Sequence, residues 1–298
     1  MPPTLQTLLI MAGQVGTKGR SIRYPGLSPK PMSPSLIAPV VALLYLAAAG
    51  LQLLHISQQR QQIDRWVFGL GLLALLGHTV IAWDSVLSGG GVNLGFYRIS
   101  ALICLVINVA CITSMARRPL QNLLLVLFPL SALAVLVSTF APDTQALNSD
   151  LDGGMLLHIS SSILAYAVLT LAAAQSALLA LQDHQLKHRH TRGIVQILPP
   201  LQQMESMLFE LLWIGVSLLT IAIVSGFVFI EDIFAQSLVH KTVLTIVAWA
   251  LFSVLLWGHY QLGWRSQTAV RFTLAGFFLL MLAFFGSKLV LELILQRT

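Results

Sequence analysis

Histidine carries most of the chemistry this sequence can offer. Of eight histidines, five lie within or at the ends of long apolar runs, and four of these stand in informative places: His78, His158, His240 and His259. A neutral imidazole donates a lone pair to a transition metal, and two imidazoles can hold one iron from opposite sides. An ionisable group inside a bilayer is costly unless it faces a partner or a cavity, so each of the four is a candidate site. Each also has a structural role open to it. His78 could bridge two helices by a hydrogen bond, and His158 and His240 could be polar residues at a membrane interface. His259, beside Trp257 and Tyr260, has the setting of an interfacial anchor. A further run, His184-Gln-Leu-Lys-His188-Arg-His190, puts three histidines within reach of one metal ion. Its basic residues equally suit a loop facing anionic lipid.

Other chemistry is thin. There is no phosphate-cradling glycine loop, no HExxH and no paired CxxC, so ATP-driven chemistry is not expected. Cys104 and Cys111 fall in one apolar run. Two turns of helix separate them on one face, too far for a disulfide.

The elements that must position the histidines follow from composition. Of 298 residues, 56% are apolar and 9% charged, against about 25% charged in an ordinary soluble domain. Mean hydropathy is +0.82. These values exclude a soluble enzyme, a disordered chain and a disulfide scaffold. The pI near 9.7 does not point to nucleic acid, because the basic residues stand in small groups between apolar runs. Eight runs are long enough, or nearly so, to cross about 30 Å of hydrocarbon: Ser35–Ile56, Val67–Asp84, Tyr97–Ala116, Leu120–Ala141, Met155–Leu181, Met207–Ile230, His240–Tyr260 and Phe272–Ile294. None alternates with the period of a barrel strand. The expected fold is an all-α polytopic membrane protein, a bundle of about eight transmembrane helices over residues 34–298.

Lysine and arginine set the expected orientation. Connections after the first, third, fifth and seventh runs hold Arg60, Arg65, Arg117, Arg118, Lys187, Arg189, Arg192, Arg265 and Arg271. The other connections carry only Arg98 and Lys241, with Asp143, Asp150, Asp152, Glu231 and Asp232. The basic side is cytoplasmic, so both ends of the bundle are expected outside. His78 then lies about 9 Å below the outer surface, and His158 and His240 lie at the outer ends of their helices. Residues 1–33 disagree, since Lys18, Arg20, Arg23 and Lys30 would have to be exported. They are expected to lie outside the fold, with Met32 as a natural start.

Several motifs in order carry a resemblance. The fifth run reads Met155-Leu-Leu-His158-Ile-Ser-Ser-Ser-Ile-Leu-Ala-Tyr166. It is followed by Leu198-Pro-Pro-Leu201, Gly215-Val-Ser-Leu-Leu-Thr220, Ser225-Gly226 and Trp257-Gly-His-Tyr-Gln-Leu-Gly263-Trp264-Arg265. The second run carries Leu76-Gly-His78-Thr, then Asn93-Leu-Gly-Phe96. From about Ser35 to Ile294 this resembles the cytochrome c assembly family of membrane proteins, in its shorter YpjD/HemX-like inner-membrane branch. The resemblance implies a haem-handling, non-enzymatic protein of the bacterial inner membrane that binds haem b. His158 would be the outer axial ligand and His78 the intramembrane one. Its partners would be haem, the lipid bilayer and other cytochrome-maturation proteins, with no nucleic acid.

Two features depart from the family pattern. Val228-Phe-Ile-Glu-Asp-Ile-Phe-Ala-Gln-Ser-Leu-Val239 has no tryptophan, where the haem-presenting members carry a tryptophan-rich segment. The family's second outer histidine is replaced around Gly286-Ser287-Lys288. His240 is a substitute suggested by its depth alone. The other expectation is an accessory or transport-associated membrane subunit without haem transfer.

The charge count makes a testable statement about sidedness. A topology reporter fused at Gly153 is expected to read as external and one at His190 as cytoplasmic. The reverse pair of signals would invert every side assignment above.

Overall fold

The computed structural model describes residues 34–58, 61–87, 95–114, 123–141, 152–188, 198–229 and 239–286. They form eight α-helices: α1 Pro34–Gln58, α2 Gln61–Leu87, α3 Phe96–Ser114, α4 Leu124–Phe140, α5 Gly153–Lys187, α6 Leu201–Phe229, α7 Val239–Leu262 and α8 Ser266–Met281. The last ends in a π-turn at Leu282–Gly286. Each expected apolar run has its helix, and no strand occurs among the described residues. Seven helices are long and apolar enough to cross a membrane. The shorter one, α4, has 17 residues, a length of about 25 Å. The expectations for residues 1–33, residues 230–238 and Ser287–Lys288 lie outside the described residues.

Some boundaries differ from expectation, and the reason is polar residues that hydropathy discounts. α5 runs on to Lys187 rather than Leu181, where Lys187 Nζ meets Asp183 Oδ2 one turn back at 2.8 Å, a pairing that supports a helix end. α6 begins at Leu201 rather than Met207. Pro199 and Pro200 precede it, and the Pro200 carbonyl accepts from Gln203 N at 2.9 Å and Met204 N at 3.1 Å. Proline suits that position because a first-turn N–H has no helical partner anyway. α8 begins at Ser266 rather than Phe272. Only Gly263–Arg265 separates it from α7, and Gly263 makes the reversal in the left-handed region with φ +66°. Trp264 N then donates to the Gly258 carbonyl at 3.2 Å, closing the end of α7.

The helices pack as two neighbouring groups of four. In the first, α1 lies against α2 and α4, and α3 against α2 and α4. In the second, α5 lies against α6 and α8, and α7 against α6 and α8. Contact between α3 and α5 joins the groups. Side chains are sorted for a lipid solvent. Leu36, Leu43, Val80, Val126 and Val228 face outward, while Gln52, His78, Asn108, Gln175 and Ser176 are buried. Lipid offers no hydrogen bonds, so polar groups are best placed inside the bundle.

The α5–α6 interface is the most extensive in the bundle, and small residues allow it. A Cβ at Gly215 would come 2.6 Å from Leu169 Cδ2, so only glycine lets the two backbones approach this closely. Replacing Gly215 with Val is expected to force the helices apart and cost about 1–3 kcal/mol. It should appear as a lower thermal midpoint of the detergent-purified protein. Ile214→Val, on the lipid side of the same turn, is the control and should leave the midpoint near the parent value.

Candidate functional site

His78 is fully buried, at 0% exposure. Its Nδ1 lies 3.1 Å from Tyr45 Oη on α1, with the two rings edge to face. Phe128 of α4 packs against Tyr45 with ring centres 5.4 Å apart. The Ala101 backbone on α3 is close enough to influence the ring, yet His78 Nε2 has no hydrogen-bond partner. The helix-bridging role expected of His78 is therefore real and uses one nitrogen. The other, Nε2, makes no hydrogen bond.

A second polar contact lies in the same four-helix group. Asn108 Nδ2 on α3 donates to the Cys104 carbonyl at 2.9 Å and to Ser131 Oγ on α4 at 2.6 Å. Ser131 passes the chain on to the Leu127 carbonyl at 2.8 Å, while Asn108 Oδ1 has no partner. The sequence singled out neither Tyr45 nor Asn108. Their signal was a lone polar side chain in the middle of an otherwise apolar run.

His158 stands near the start of α5, a helix capped by Asp152, whose Oδ2 accepts from Gly154 N at 3.3 Å. Its Nδ1 is 2.8 Å from the Ala222 carbonyl of α6. A carbonyl only accepts, so Nδ1 carries the ring proton and the lone pair of the neutral ring sits on Nε2. Metal-binding histidines are oriented in this way. Gly226 makes room for the ring, since a Cβ there would lie 3.0 Å from His158 Cε1. Tyr166 follows His158 by eight residues on α5. It packs against Phe277 and Phe284 with ring centres 5.8 and 5.3 Å away.

The structure does not join the candidates into one cluster. His78 bonds to α1 and His158 to α6, and no hydrogen bond or ring contact between them occurs among the described residues. His240 is exposed at the start of α7, next to residues outside the described set. His184 and His188 are exposed, with ring centres 4.4 Å apart; His190 lies outside the described residues. Among those described, no group of three or more His, Cys, Asp or Glu could hold a metal ion.

His259 differs from the anchor expected. Trp257 and Tyr260 face outward, at 59% and 70% exposure, and fill that role. His259 itself is half-buried. It stacks on Phe209 with ring centres 3.5 Å apart, and its Nδ1 lies 2.9 Å from the Trp264 carbonyl. As at His158, a backbone acceptor leaves the lone pair on Nε2. The neighbouring aromatics, read as a belt, concealed this in the sequence.

Residues 66–295 match the family described as Cytochrome C assembly protein. This chain belongs to the cytochrome c assembly protein family. The match runs from α2 through α8 and takes in His78, His158, His240 and His259. Inner membrane protein YpjD of Escherichia coli is 34% identical over 262 residues, covering 86% of this chain and 99% of that protein. A 28.8 kDa protein from the nifR3-like 5′ region of Azospirillum brasilense is 27% identical over 271 residues, covering 89% of this chain and 100% of its own length. Protein HemX of Brevibacillus brevis is 27% identical over 170 residues, 55% of this chain and 62% of HemX. No solved structure matches significantly. This member of the cytochrome c assembly family is a multi-pass inner-membrane protein.

Burial ranks the histidines of this family member by accessibility. Diethyl pyrocarbonate applied to the purified protein is expected to modify His240, His184 and His188 readily. His78 should stay unmodified until the bundle is denatured. Peptide mass spectrometry reads both classes, and early modification of His78 would show that its surroundings are open.

Proposed function

We propose that this protein binds haem b and holds it for cytochrome c assembly, with His158 as the axial ligand at the outer end and His78 as the ligand within the membrane. The observation that carries the reading is shared by both residues. Each has Nδ1 engaged by the protein; His78 Nε2 is buried without a hydrogen-bond partner, and the Ala222 carbonyl leaves the lone pair of neutral His158 on Nε2. A buried imidazole nitrogen with nothing to bond is costly, and a metal is a fitting partner for it. The donor set therefore fits haem iron. Haem, as cargo, supplies the iron that accepts the Nε2 lone pairs. The chain's own residues orient the rings and keep lipid-facing surfaces apolar. In this reading the protein makes and breaks no bond of the porphyrin, so it is a carrier and not an enzyme. Its partners are haem, the bilayer and other cytochrome-maturation membrane proteins. His240 is a second outer ligand only in this proposal, on the strength of its position at the start of α7.

One observation favours a second reading. Val228–Val239 contains no tryptophan, so a surface for presenting haem outward is not evident in the sequence. An accessory or transport-associated subunit without haem transfer would not need one.

An absorption spectrum of the detergent-purified protein, prepared with haem supplied, separates the two readings. The expected result is a sharp reduced α-band of low-spin haem. His78→Ala and His158→Ala should each lower haem content and move the remaining spectrum toward high spin. Added imidazole should partly restore the lost bond. Haem content indifferent to both substitutions, or absent from the parent, would overturn the ligand assignment and favour the accessory subunit.

A further inference from the structure

Tyr45 is fully buried in the first four-helix group. It lies on α1, outside the residues matched by the family. Among the described residues its hydroxyl is the hydrogen-bond partner of His78 Nδ1 at 3.1 Å, and Nε2 has none. A neutral imidazole has one proton and one lone pair, so its two nitrogens play different roles. A phenol can either donate or accept. If Tyr45 donates to Nδ1, the lone pair is used there and Nε2 carries the proton. If Nδ1–H donates to Tyr45 Oη, the lone pair lies on Nε2. Only this second tautomer can bind a metal through Nε2. The His158 case is different, because the Ala222 carbonyl permits a single tautomer.

We propose that Tyr45 is the positioning residue for His78: its hydroxyl fixes the ring plane and accepts a hydrogen bond from Nδ1–H when Nε2 binds haem iron. This deepens the haem-ligand reading above and rests on it. The ring contact at 5.9 Å and 86°, with Phe128 behind Tyr45, keeps the phenol from swinging away. Loss of the hydroxyl alone would leave these ring contacts in place and remove the hydrogen-bond partner of Nδ1.

The test uses the full chain in detergent, in a His158→Ala background so that the inner site alone is read. Nitrogen-15 spectra of histidine in the haem-free protein compare the parent with Tyr45→Phe. The parent is expected to show a hydrogen-bonded Nδ1, and Tyr45→Phe to lose that signature while keeping a similar thermal midpoint. Haem titration then compares the parent, Tyr45→Phe and His78→Ala. Tyr45→Phe should weaken haem binding by about 10- to 100-fold, the usual effect of losing a group that orients a metal ligand, yet still reach a histidine-ligated spectrum at saturation. His78→Ala should not reach it. Unchanged nitrogen signals and unchanged affinity in Tyr45→Phe would overturn the role of Tyr45 and leave the ligand reading standing. Parental affinity in His78→Ala would overturn the ligand reading, and this proposal with it.

Discussion

A polar side chain inside a bilayer has no water to turn to, and the architecture of this bundle follows from that. The helices satisfy their own backbones, so side chains alone decide which faces meet. Aliphatic residues can face lipid at little cost. Histidine, asparagine, glutamine and buried serine cannot, and they draw the helices together. The Tyr45–His78 contact pins α1 to α2, and Asn108–Ser131 pins α3 to α4. Gln175 Nε2 reaches the Met204 carbonyl at 3.3 Å and pins α5 to α6. Each is a polar contact in a place where the alternative is hydrocarbon.

Polar contacts alone would not set the distance between helices. At α5–α6, small residues do so. Gly215 admits Leu169, and Gly226 admits the imidazole of His158. Close packing and the orientation of the His158 ring are therefore one construction. His158 reaches the Ala222 carbonyl because α6 presents no side chain where the ring must lie. At the opposite end the reversal through Gly263 brings the Trp264 carbonyl back to His259. Gln267 Nε2 donates to Asp183 Oδ2 at 3.0 Å and ties α8 to the extended end of α5. Both ends of the second helix group are thus held by side-chain-to-neighbour bonds that fix imidazole geometry.

Helix number and class were legible in the sequence, because a run of about 20 apolar residues has few structural fates. Helix ends were not. Asp183 with Lys187, Gln202 and Gln203 after Pro200, and Gln267 with Arg271 all continue helices beyond the apolar stretch. Hydropathy counts such residues against a helix, while capping and i,i+4 pairing count for it. His78 and His158 were legible as candidates from residue type and depth. What each ring nitrogen does was not, because that depends on contacts 33 and 64 residues away in sequence. Tyr45 went unnoticed for the same reason, since a tyrosine in an apolar run looks like core until its hydroxyl has a partner. His259 was misjudged because Trp257 and Tyr260 share its segment, although they face outward while His259 is half-buried against Phe209.

The two central histidines are built on different logic, and the difference bears on how a carrier could work. A backbone carbonyl cannot change its hydrogen-bonding role, so His158 keeps Nε2 ready as a donor of its lone pair whenever the ring is neutral. Such a ligand needs little rearrangement to bind. A phenol can reverse its role, so His78 can rest with Nε2 protonated and must change tautomer before it can bind. Rearrangement lowers apparent affinity by the fraction of molecules in the competent state. If both rings meet haem, the outer site is pre-set and the inner one conditional. A gradient of readiness of this kind needs no moving helix. It arises from one difference in atom type, carbonyl oxygen against hydroxyl oxygen, at the nitrogen that does not touch the iron.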